Sequence, residues 1–450
     1  MDLLAITKSI NDILWSNLLI FLLCGAGIVF TFAFRFVQVR KFKEGFHKMF
    51  GDITLFGEKA GGQGMSSFQA AATSIAAQVG TGNMAGAATA IASGGPGAIF
   101  WMWLAAFFGM ATIFAEAVLA QKYNEIIDGQ VTGGPAYYLR KGLGSKFLAG
   151  FFSVAIILAL GFIGNAVQAN SIATAFSDVV PISNLAVGII LAFLASLVII
   201  GGIGRIASVV EKVVPVMAVF YMIGGLFVIF RNLGNLIPAL QMIFVGAFNA
   251  RAATGGLIGV TVKEVVRYGV ARGLFSNEAG MGSTPHAHAV ARVEHPVEQG
   301  LVAIVSVFID TFVILNITAF VILTTGALDG QTTGIALTQK AFALGMGNIG
   351  NYFVAITLLF FAFSTIIGWY FFGEANALYL FGKKGLIPYQ LLVLAFIIYG
   401  TVKEVPLVWE LADLFNGLMV IPNIIGLLGL MVTVKGILQD YEDMQELRRS

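Results

Sequence analysis

The stretch that decides the fold is SIAAQVGTGNMAG, residues 74–86, in which three glycines and an asparagine interrupt a long apolar segment. An apolar segment of roughly 20 residues is long enough to cross a bilayer as a helix. A break inside such a helix leaves backbone N–H and C=O groups without partners, and each unpaired group is costly in lipid. The sequence therefore predicts a membrane helix that stops, restarts, and offers its free backbone groups to something else.

The composition of the whole chain indicates that it lives in lipid. Of its 450 residues, 58% are hydrophobic and only 11% are charged, whereas soluble domains carry about 25% charged residues. The net charge of +2 is too small to indicate a nucleic-acid partner. Because Cys24 is the only cysteine, an intramolecular disulfide is excluded. We expect an all-α membrane protein that crosses the cell membrane several times.

Apolar runs of spanning length mark the candidate membrane helices. The first run is too long for the apolar part of a secretory signal, so we interpret it as a membrane helix. The seventh run is amphipathic in its first half, and residues 234–256 are expected to lie along the surface or to cap the protein. The eleven candidate helices lie near 14–35, 66–92, 97–121, 147–176, 184–202, 208–230, 258–286, 297–324, 350–379, 384–401 and 408–435.

Basic residues predict the orientation of the chain in the membrane. The densest basic segment, RFVQVRKFKEGFHK at 35–48, follows the first helix. This segment is expected in the cytoplasm, which places the N-terminus outside. Lys141 and Lys384 then also fall on the cytoplasmic side. With an odd number of helices, the C-terminus is expected in the cytoplasm as well.

A second interruption, GLFSNEAGMGSTP at 273–285, places polar residues and three glycines inside the seventh candidate helix. Counting the broken helix itself, each break opens a set of five candidate helices. Because five is odd, the second set is inverted in the membrane, an arrangement that many secondary transporters use. The expected domains are 1–60 (extra helix and basic cytoplasmic loop), 61–232 (first repeat), 233–257 (extracellular connection), 258–437 (second repeat) and 438–450 (cytoplasmic tail).

Three interpretations of the first break are open. The G-x-x-x-G pattern of GNMAG (82–86) also suits close helix packing. A phosphate-binding loop needs a lysine after the glycines and a strand before them, and the sequence has neither. In an unwound helix, N–H groups near Thr81 favour a carboxylate, and carbonyls near Gln78 and Val79 favour a cation. We favour the unwound helix.

The second break is expected to face the first across the repeat axis. Phe275, Ser276 and Asn277 are candidates to supply carbonyls and an amide to an ammonium group or a cation. Glu278 carries a charge at membrane depth, which usually marks function. Pairing with Arg272 would instead give Glu278 a structural role, and both interpretations are open.

The fourth candidate helix carries a face of small and polar residues. Within GFIGNAVQAN (161–170), Gly161, Gly164 and Gln168 share one side of the helix. Such a face suits a small pocket or tight helix packing equally well.

The ninth candidate helix contains FAFSTIIGWYFFGE, residues 361–374. Its adjacent hydroxyls, Ser364 and Thr365, either bond back to their own helix or bind a hard cation such as sodium, which prefers oxygen ligands. Trp369 lies one turn further along and too deep for an interfacial tryptophan. We expect it to form a wall of a pocket.

Other polar residues in apolar surroundings have less specific interpretations. Glu116, Asp310 and Glu374 are interpreted as paired structural groups, with a role as proton carriers left open. The histidines within 286–295 lack the cysteines of common zinc sites. No Ser-His-Asp, HExxH or Walker pattern occurs, so we expect neither an enzyme nor a cofactor.

Four long motifs are spread along the chain. They are GTGNMAGAATAIASGGPGAIFWMW (80–103), GGPAYYL (133–139), GLFSNEAGMGSTPHAHA (273–289) and IIGWYFFGE (366–374). Through these motifs the chain resembles the alanine or glycine:cation symporter family, and the overall match looks like a prokaryotic sodium-coupled alanine symporter. The resemblance implies a leucine-transporter-like fold, in which one extra N-terminal helix precedes a five-plus-five inverted repeat with two broken helices.

The resemblance also implies a substrate site and a sodium site between the two breaks. Asn83 marks a second sodium position in some relatives, but this chain departs from them by carrying Gln78 where they have a small residue. The implied substrate-binding residues are Gln78, Gly80, Thr81, Gly82, Gly164, Gln168, Phe275, Asn277, Thr365 and Trp369. The implied sodium ligands are Ala76, Val79, Phe361, Ser364 and Thr365, with Asn83 at the second site.

The function implied by the resemblance is sodium-coupled import of small neutral amino acids, alanine and glycine foremost, by alternating access. Proton coupling through Glu116, Glu278 or Glu374 is the alternative within transport. A channel or a membrane sensor is the alternative outside it, and the tail after Lys435 is expected to be too short for a sensor's output domain. The expected partners are the amino acid, sodium and the bilayer, with no nucleic acid and no obligate protein partner.

Overall fold

The computed structural model describes residues 3–51, 64–127, 129–249, 261–402 and 406–449. Within these residues the chain is almost entirely helical. The described strands form one antiparallel hairpin, in which β1 (Glu125–Ile127) pairs with β2 (Gln130–Thr132).

The helices of the first half are mostly long and joined by short turns. They are α1 (3–33), α2 (Val37–Arg40), α3 (Phe42–Phe50), α4 (Ser67–Gln78), α5 (82–94), α6 (Ala98–Lys122), α7 (Pro135–Lys141), α8 (Lys146–Ser177), α9 (Asn184–Ile199) and α10 (Gly202–Arg231). π-helical turns occur within α1 at Leu14–Leu18, at the start of α5 at Gly82–Gly86, and within α8 at Ile157–Gly164.

The helices of the second half are also mostly long and joined by short turns. They are α11 (Leu236–Phe248), α12 (Val262–Asn277), α13 (Pro285–Ala289), α14 (Pro296–Thr325), α15 (Gly334–Met346), α16 (Ile349–Phe381), α17 (Leu386–Val402), α18 (Pro406–Gly429) and α19 (Met431–Arg449). Within α14, the turn Ile309–Leu315 is π-helical, and Gly382–Gly385 forms a 3-10 turn between α16 and α17.

Both broken helices begin with the same N-terminal cap. Before α4, the Ser66 side chain accepts from the Gln69 N–H while the Gln69 side chain accepts from the Ser66 N–H. Thr261 and Glu264 form the same reciprocal pair before α12. These capping boxes satisfy N–H groups that a helix start leaves free. The helices then run for 12 and 16 residues before they break, at the two places that the sequence predicts.

The long apolar helices agree with a membrane protein. A helix lies within each of the eleven predicted segments, although residues 258–260 of the seventh are outside the described part of the chain, as are parts of the predicted domains 1–60 and 233–257. Six described helices are both long and apolar enough to cross a membrane: Ala98–Lys122, Lys146–Ser177, Gly202–Arg231, Pro296–Thr325, Ile349–Val402 (α16 and α17 taken together) and Leu407–Gly429.

Two segments between the predicted helices contain helices of their own. The described part of 234–256 contains α11. This helix contacts the start of α6, where the Trp101 indole N–H donates to the Ala247 carbonyl at 3.1 Å. The sequence did not predict α15. It packs on the first break, where the Thr338 hydroxyl donates to the Met84 carbonyl at 3.0 Å.

The C-terminal helix α19 begins earlier than the predicted tail. The last apolar run was expected to reach residue 435, but α18 ends at Gly429 and α19 follows at once. α19 is tied to α3, since the Tyr441 hydroxyl donates to Glu44 at 2.5 Å. Burial raises the pKa of Glu44, but hydrogen bonds from Tyr441 and Lys41 outweigh it and hold that pKa below its usual value.

The two breaks are neighbours at the centre of the helical bundle. α12 packs against α5 and α6, while α4 packs against α10 and α16. The fold thereby brings polar backbone from two distant parts of the sequence into one buried region.

Candidate functional site

The first break exposes backbone groups between α4 and α5. Val79 leaves helical geometry, with φ −82° and ψ 86°. The Gly80 N–H donates to Asn83 Oδ1 at 3.1 Å, and the Thr81 N–H donates to Gln168 Oε1 at 3.2 Å. Side-chain oxygens therefore hold N–H groups that the sequence assigns to a substrate carboxylate. A bound carboxylate would share these donors or replace the side-chain oxygens.

The glycines of the first break have different surroundings. A Cβ on Gly80 would collide with the Thr365 hydroxyl, and one on Gly82 would lie 2.9 Å from the Ser276 Cα. A Cβ on Gly86 would meet nothing closer than 3.9 Å. Close packing thus accounts for Gly82 but not for Gly86, so the packing interpretation covers half of the G-x-x-x-G pattern.

Carbonyl oxygens at the end of α4 converge on a hydroxyl of α16. Thr365 Oγ1 lies 2.8 Å from the Ala76 oxygen, 3.0 Å from the Phe361 oxygen and 3.4 Å from the Val79 oxygen. Ser364 donates to the Phe361 carbonyl at 2.8 Å, so it bonds back to its own helix. Because a hydroxyl has one hydrogen, Thr365 cannot donate fully to three acceptors. Four of the residues implied as sodium ligands, Ala76, Val79, Phe361 and Thr365, form one oxygen cluster in which the Thr365 hydroxyl supplies one hydrogen for three carbonyls.

The second break contacts the first directly. The Gln78 side-chain N–H donates to the Asn277 carbonyl at 2.8 Å. Asn277 in turn donates to the Thr311 hydroxyl at 3.2 Å. Gln78 Oε1 is buried and has no hydrogen-bond partner among the described residues. This orphaned oxygen is a free acceptor between the two breaks, and an ammonium group is a suitable donor for it.

Trp369 and Gly164 meet at the α8–α16 contact. A Cβ on Gly164 would lie 2.7 Å from the Trp369 ring, so only glycine leaves room for the indole there. The rings of Phe275 and Trp369 meet edge to face at 6.4 Å between centroids. The structure therefore brings Phe275, which the resemblance assigns to the ammonium contact, next to Gly164 and Trp369, which the resemblance assigns to closing the pocket.

Asp310 is the main residue that the sequence reasoning left outside the site. It lies in the π-helical turn of α14 and is fully buried. Its carboxylate accepts from Asn83 at 2.7 Å, from Ser276 at 3.1 Å and from Thr311 at 3.0 Å. It therefore connects both breaks. Its charge within an apolar helix was a visible signal, but its position beside both breaks was not.

Glu278 has other partners than the arginine considered from the sequence. It accepts from the Trp369 indole at 2.6 Å and from the Ser283 hydroxyl, whereas Arg272 pairs with Asp413 at 3.3 Å. The structural pairing of Glu278 with Arg272 is therefore wrong. Glu278 also has a left-handed backbone, with φ 58°, which is uncommon for a residue other than glycine.

Glu116, on α6, binds the backbone of the loop at the second break. It accepts from the Gly280 N–H at 3.1 Å and from the Gly282 N–H at 2.9 Å. Asn423 on α18 donates to the same carboxylate at 2.6 Å, and Tyr138 donates to Asn423. Glu116 is thus a paired group in this structure, and its partners include backbone of the break.

The remaining polar residues singled out in the sequence have their partners outside the breaks, except His286, whose Nδ1 lies 2.7 Å from the Ser283 carbonyl oxygen of the second break. Glu374 accepts from the Tyr370 hydroxyl at 2.6 Å. Among the histidines of 286–295, His288 contacts Gln299 at 2.9 Å. Within the described ranges, no three His, Cys, Asp or Glu side chains are grouped as metal ligands would be.

A cavity of about 300 Å³ connects the first break to the Arg272–Asp413 ion pair. Thr81 and Phe275 are among its lining residues, and this volume falls at the small end of ligand pockets. Gly86, Ser171 and Trp409 also line it. The other residues implied for substrate binding do not line this cavity.

Comparison of the fold with solved structures identifies a similar transporter. The crystal structure of MhsT in complex with L-phenylalanine matches with a TM-score of 0.57, covering 84% of this chain and 98% of that one. At 12% sequence identity, this match shows the fold alone, which is of the leucine-transporter type.

Curated relatives are similar along nearly their whole length. The Methanococcus maripaludis protein named "Sodium/alanine symporter AgcS" is 43% identical over 440 residues, covering 95% of each chain. The Bacillus subtilis protein named "Probable sodium/glutamine symporter GlnT" is 45% identical over 436 residues, covering 96% of this chain and 89% of its own.

The sequence profile described as the Sodium:alanine symporter family matches residues 1–450. The chain belongs to the sodium:alanine symporter family, whose members are amino-acid transporters and not enzymes.

Proposed function

We propose that this protein is a sodium-coupled symporter that imports small neutral amino acids, alanine and glycine foremost, by alternating access. The observation that carries the proposal is the oxygen cluster of Ala76, Val79, Phe361 and Thr365, which joins the first break to α16. Three carbonyls around one hydroxyl suit a hard cation, because such a cation is bound by several oxygens at once. Sodium would tie α4 to α16 and favour one arrangement of the break.

The substrate side of the proposal rests on the neighbouring groups. A carboxylate would take the N–H groups of Gly80 and Thr81, at the start of a helix whose dipole favours negative charge. The ammonium group would approach Gln78 Oε1 and the carbonyls of the second break. The indole of Trp369 against Gly164 leaves little room for a side chain, which favours alanine and glycine.

Because the two ligands share α4, their binding is expected to be coupled. Sodium binds the carbonyls just before the break, and the substrate binds the N–H groups just after it. Each ligand then stabilises the unwound conformation that the other requires. Coupling of this kind is reciprocal: sodium tightens substrate, and substrate tightens sodium by the same factor.

A second sodium site is proposed at Asn83, with Asp310 as the charged ligand. The hydroxyls of Ser276 and Thr311 and the amide of Asn83 all lie within 3.2 Å of the Asp310 carboxylate. A carboxylate with hydroxyl oxygens is a common ligand set for a hard cation. Asn83 donates its Nδ2 to Asp310 and accepts from the Gly80 N–H with its Oδ1, so it would have to turn its amide oxygen toward the ion. In this proposal Asp310 binds a cation, whereas the sequence interpreted it as a paired structural group and left a role as proton carrier open.

The membrane arrangement belongs to the same proposal. We infer eleven spanning helices, with the N-terminus outside, the C-terminus in the cytoplasm and the two five-helix repeats inverted relative to each other. Alternating access would then arise from movement of one part of the bundle against the other around the two breaks.

The experiment that tests the proposal is uptake by the purified protein in liposomes. Alanine, glycine, glutamine and leucine are compared with an inward sodium gradient, with choline in place of sodium, and with a pH gradient alone. We expect saturable alanine and glycine uptake that requires sodium. Equal alanine uptake in choline would refute sodium coupling, and uptake driven by the pH gradient alone would support the proton-coupled alternative.

Proton coupling is the second candidate because buried carboxylates surround the second break. Glu116, Glu278 and Asp310 each accept hydrogen bonds from its backbone or side chains. Glu374 lies elsewhere and bonds to Tyr370, so it is a poor candidate for this role.

A further inference from the structure

Two apolar cavities on the outer surface of the bundle meet to form one groove. The first, of about 530 Å³, lies between α8, α16 and α17. The second, of about 450 Å³, lies between α8, α17 and α18. Leu158 and Phe162 of α8 line both cavities, so the two adjoin along α8 and α17 and are treated as one groove. Neither cavity reaches the substrate region, since none of the residues at the breaks lines them.

The groove lies where the apolar packing of the protein is interrupted. Ile163, Val167 and Val408 belong to a small buried cluster that is separate from the main core. Phe162 and Phe396 stack at 5.1 Å between centroids at the edge of this cluster. The contact of α8 with α18 is therefore incomplete on the outer side, and empty apolar space there forgoes contacts that a filling group would make.

The charge at the groove is confined to one end. Among the residues that line the two cavities, the charged one is Lys384, in the 3-10 turn between α16 and α17. Its side chain is exposed, and it makes no salt bridge within the described part of the chain. Tyr389 lines the same cavity as Lys384, but it donates its hydroxyl to the Tyr370 carbonyl and offers no free donor to the groove.

The length of the groove matches one leaflet of a bilayer. From Pro388, near Lys384, to Tyr399 at the far end, α17 rises about 16 Å at 1.5 Å per residue. A hydrocarbon core of about 30 Å has a half-thickness of about 15 Å. A groove of this length, with Lys384 at the end that would lie at the membrane surface, has the shape and charge of a site for a single phospholipid.

We propose that this groove binds one anionic phospholipid, with its phosphate at Lys384 and an acyl chain along α17 between α8 and α18. The basic residues place Lys384 on the cytoplasmic side, where anionic lipids attract lysine and arginine near the surface. The acyl chain fills the gap beside Phe162 and Phe396. This site is separate from the proposed transport site, and its test does not depend on transport.

The π-helical turn of α8 links the groove to the pocket wall. Leu158 and Phe162 of this turn face the groove, while Gly164 at its end contacts Trp369. A lipid in the groove would therefore support the same turn that carries the pocket wall.

The test measures lipid binding to the full-length protein in detergent by native mass spectrometry and by thermal unfolding. The probes are phosphatidylglycerol and phosphatidylcholine with identical acyl chains, and glycerol phosphate as the headgroup without chains. We expect one tightly retained phosphatidylglycerol that raises the unfolding temperature, with weaker retention of phosphatidylcholine and no effect of glycerol phosphate.

Variants with matched controls locate the site. Lys384→Gln should weaken phosphatidylglycerol binding about fivefold, the equivalent of about 1 kcal/mol for one basic residue near a membrane surface. Lys383→Gln changes the same charge in the same turn but does not line the groove, and should bind as the unchanged protein does. Ala395→Trp should fill the groove and abolish retention of both lipids, while Ile189→Trp on the exposed face of α9 should not.

Three results would overturn the proposal. One is equal binding of the two lipids, and another is equal loss from Lys383→Gln and Lys384→Gln. The third is a dimer in solution that Ala395→Trp dissociates, since the groove would then be an interface between two copies. An unfolding temperature measured without lipid separates loss of binding from loss of folding in each variant.

Discussion

The side-chain amide of Gln78 donates a hydrogen bond of 2.8 Å to the carbonyl oxygen of Asn277. Each of these residues is the last of its helix before a break, Gln78 in α4 and Asn277 in α12. The two breaks are therefore held end to end by one side chain. The other end of that side chain, Oε1, is buried and unpaired within the described residues.

Gln78→Leu should weaken alanine binding by about thirtyfold, because it removes this bond and the free acceptor, each worth about 1 kcal/mol. Alanine affinity is measured by binding at saturating sodium. The matched control is Gln339→Leu, which removes a buried amide whose hydrogen-bond partner, the Ala175 carbonyl on α8, belongs to neither break. Unchanged affinity in Gln78→Leu would remove Gln78 from the substrate site.

Thr365→Ala should raise the sodium concentration needed for half-maximal uptake by tenfold or more, since it deletes one ligand from the oxygen cluster. Thr365→Ser keeps the hydroxyl and should retain near-normal sodium dependence. Thr357→Ala, two turns earlier on α16, deletes a hydroxyl that bonds only to the Phe353 carbonyl among described groups, and serves as the control. Normal sodium dependence of Thr365→Ala would refute its assignment as a ligand.

Asp310→Asn tests the second cation site. If the site exists, alanine uptake should rise sigmoidally with sodium concentration in the unchanged protein and hyperbolically in the variant. Glu374→Gln neutralises a partly buried carboxylate that bonds to Tyr370 and contacts neither break, and it should leave the sodium curve unchanged. Hyperbolic sodium activation in the unchanged protein would argue against a second sodium.

Gly82→Ala and Gly86→Ala test whether each glycine is needed for close helix packing or for the space that a ligand occupies. The Cβ at residue 82 would press against the Ser276 backbone, so Gly82→Ala should lower the unfolding temperature. Gly86→Ala has open space and should fold normally but narrow the cavity. Alanine uptake should therefore fall in Gly86→Ala without a loss of stability. Equal destabilisation by both substitutions would return the G-x-x-x-G pattern to a packing role.

Trp369→Ala should admit larger amino acids such as leucine, because it removes the ring that closes against Gly164. Trp369→Phe keeps most of the ring but loses the bond to Glu278, so any change in that variant reports on Glu278. Competition of unlabelled leucine with alanine uptake measures both. If Trp369→Ala still excludes leucine while transporting alanine, Trp369 does not limit substrate size.

Much of the fold could be predicted from the sequence because the bilayer imposes strong local rules. Apolar runs of spanning length, basic loops and interruptions at 74–86 and 273–285 are all local patterns, and the structure has helices and breaks where they predict them. α15 escaped prediction because its 13 residues are too short and too mixed for a spanning run. α19 was foreseen only as a tail, since its amphipathic face acquires meaning only where it packs near Glu44.

The sequence alone determined which residues break the membrane helices, because glycine and polar residues within an apolar run have few other uses in lipid. Only the tertiary structure decided what those residues contact. Asp310 lies 227 positions from Asn83 and Glu116 lies 164 from Gly280, yet each pair is hydrogen-bonded. No local pattern encodes such contacts, since they arise when packed helices bring distant segments together. For the same reason, Glu278 is hydrogen-bonded to Trp369 on α16 and not to Arg272, which lies only six residues before it in the sequence.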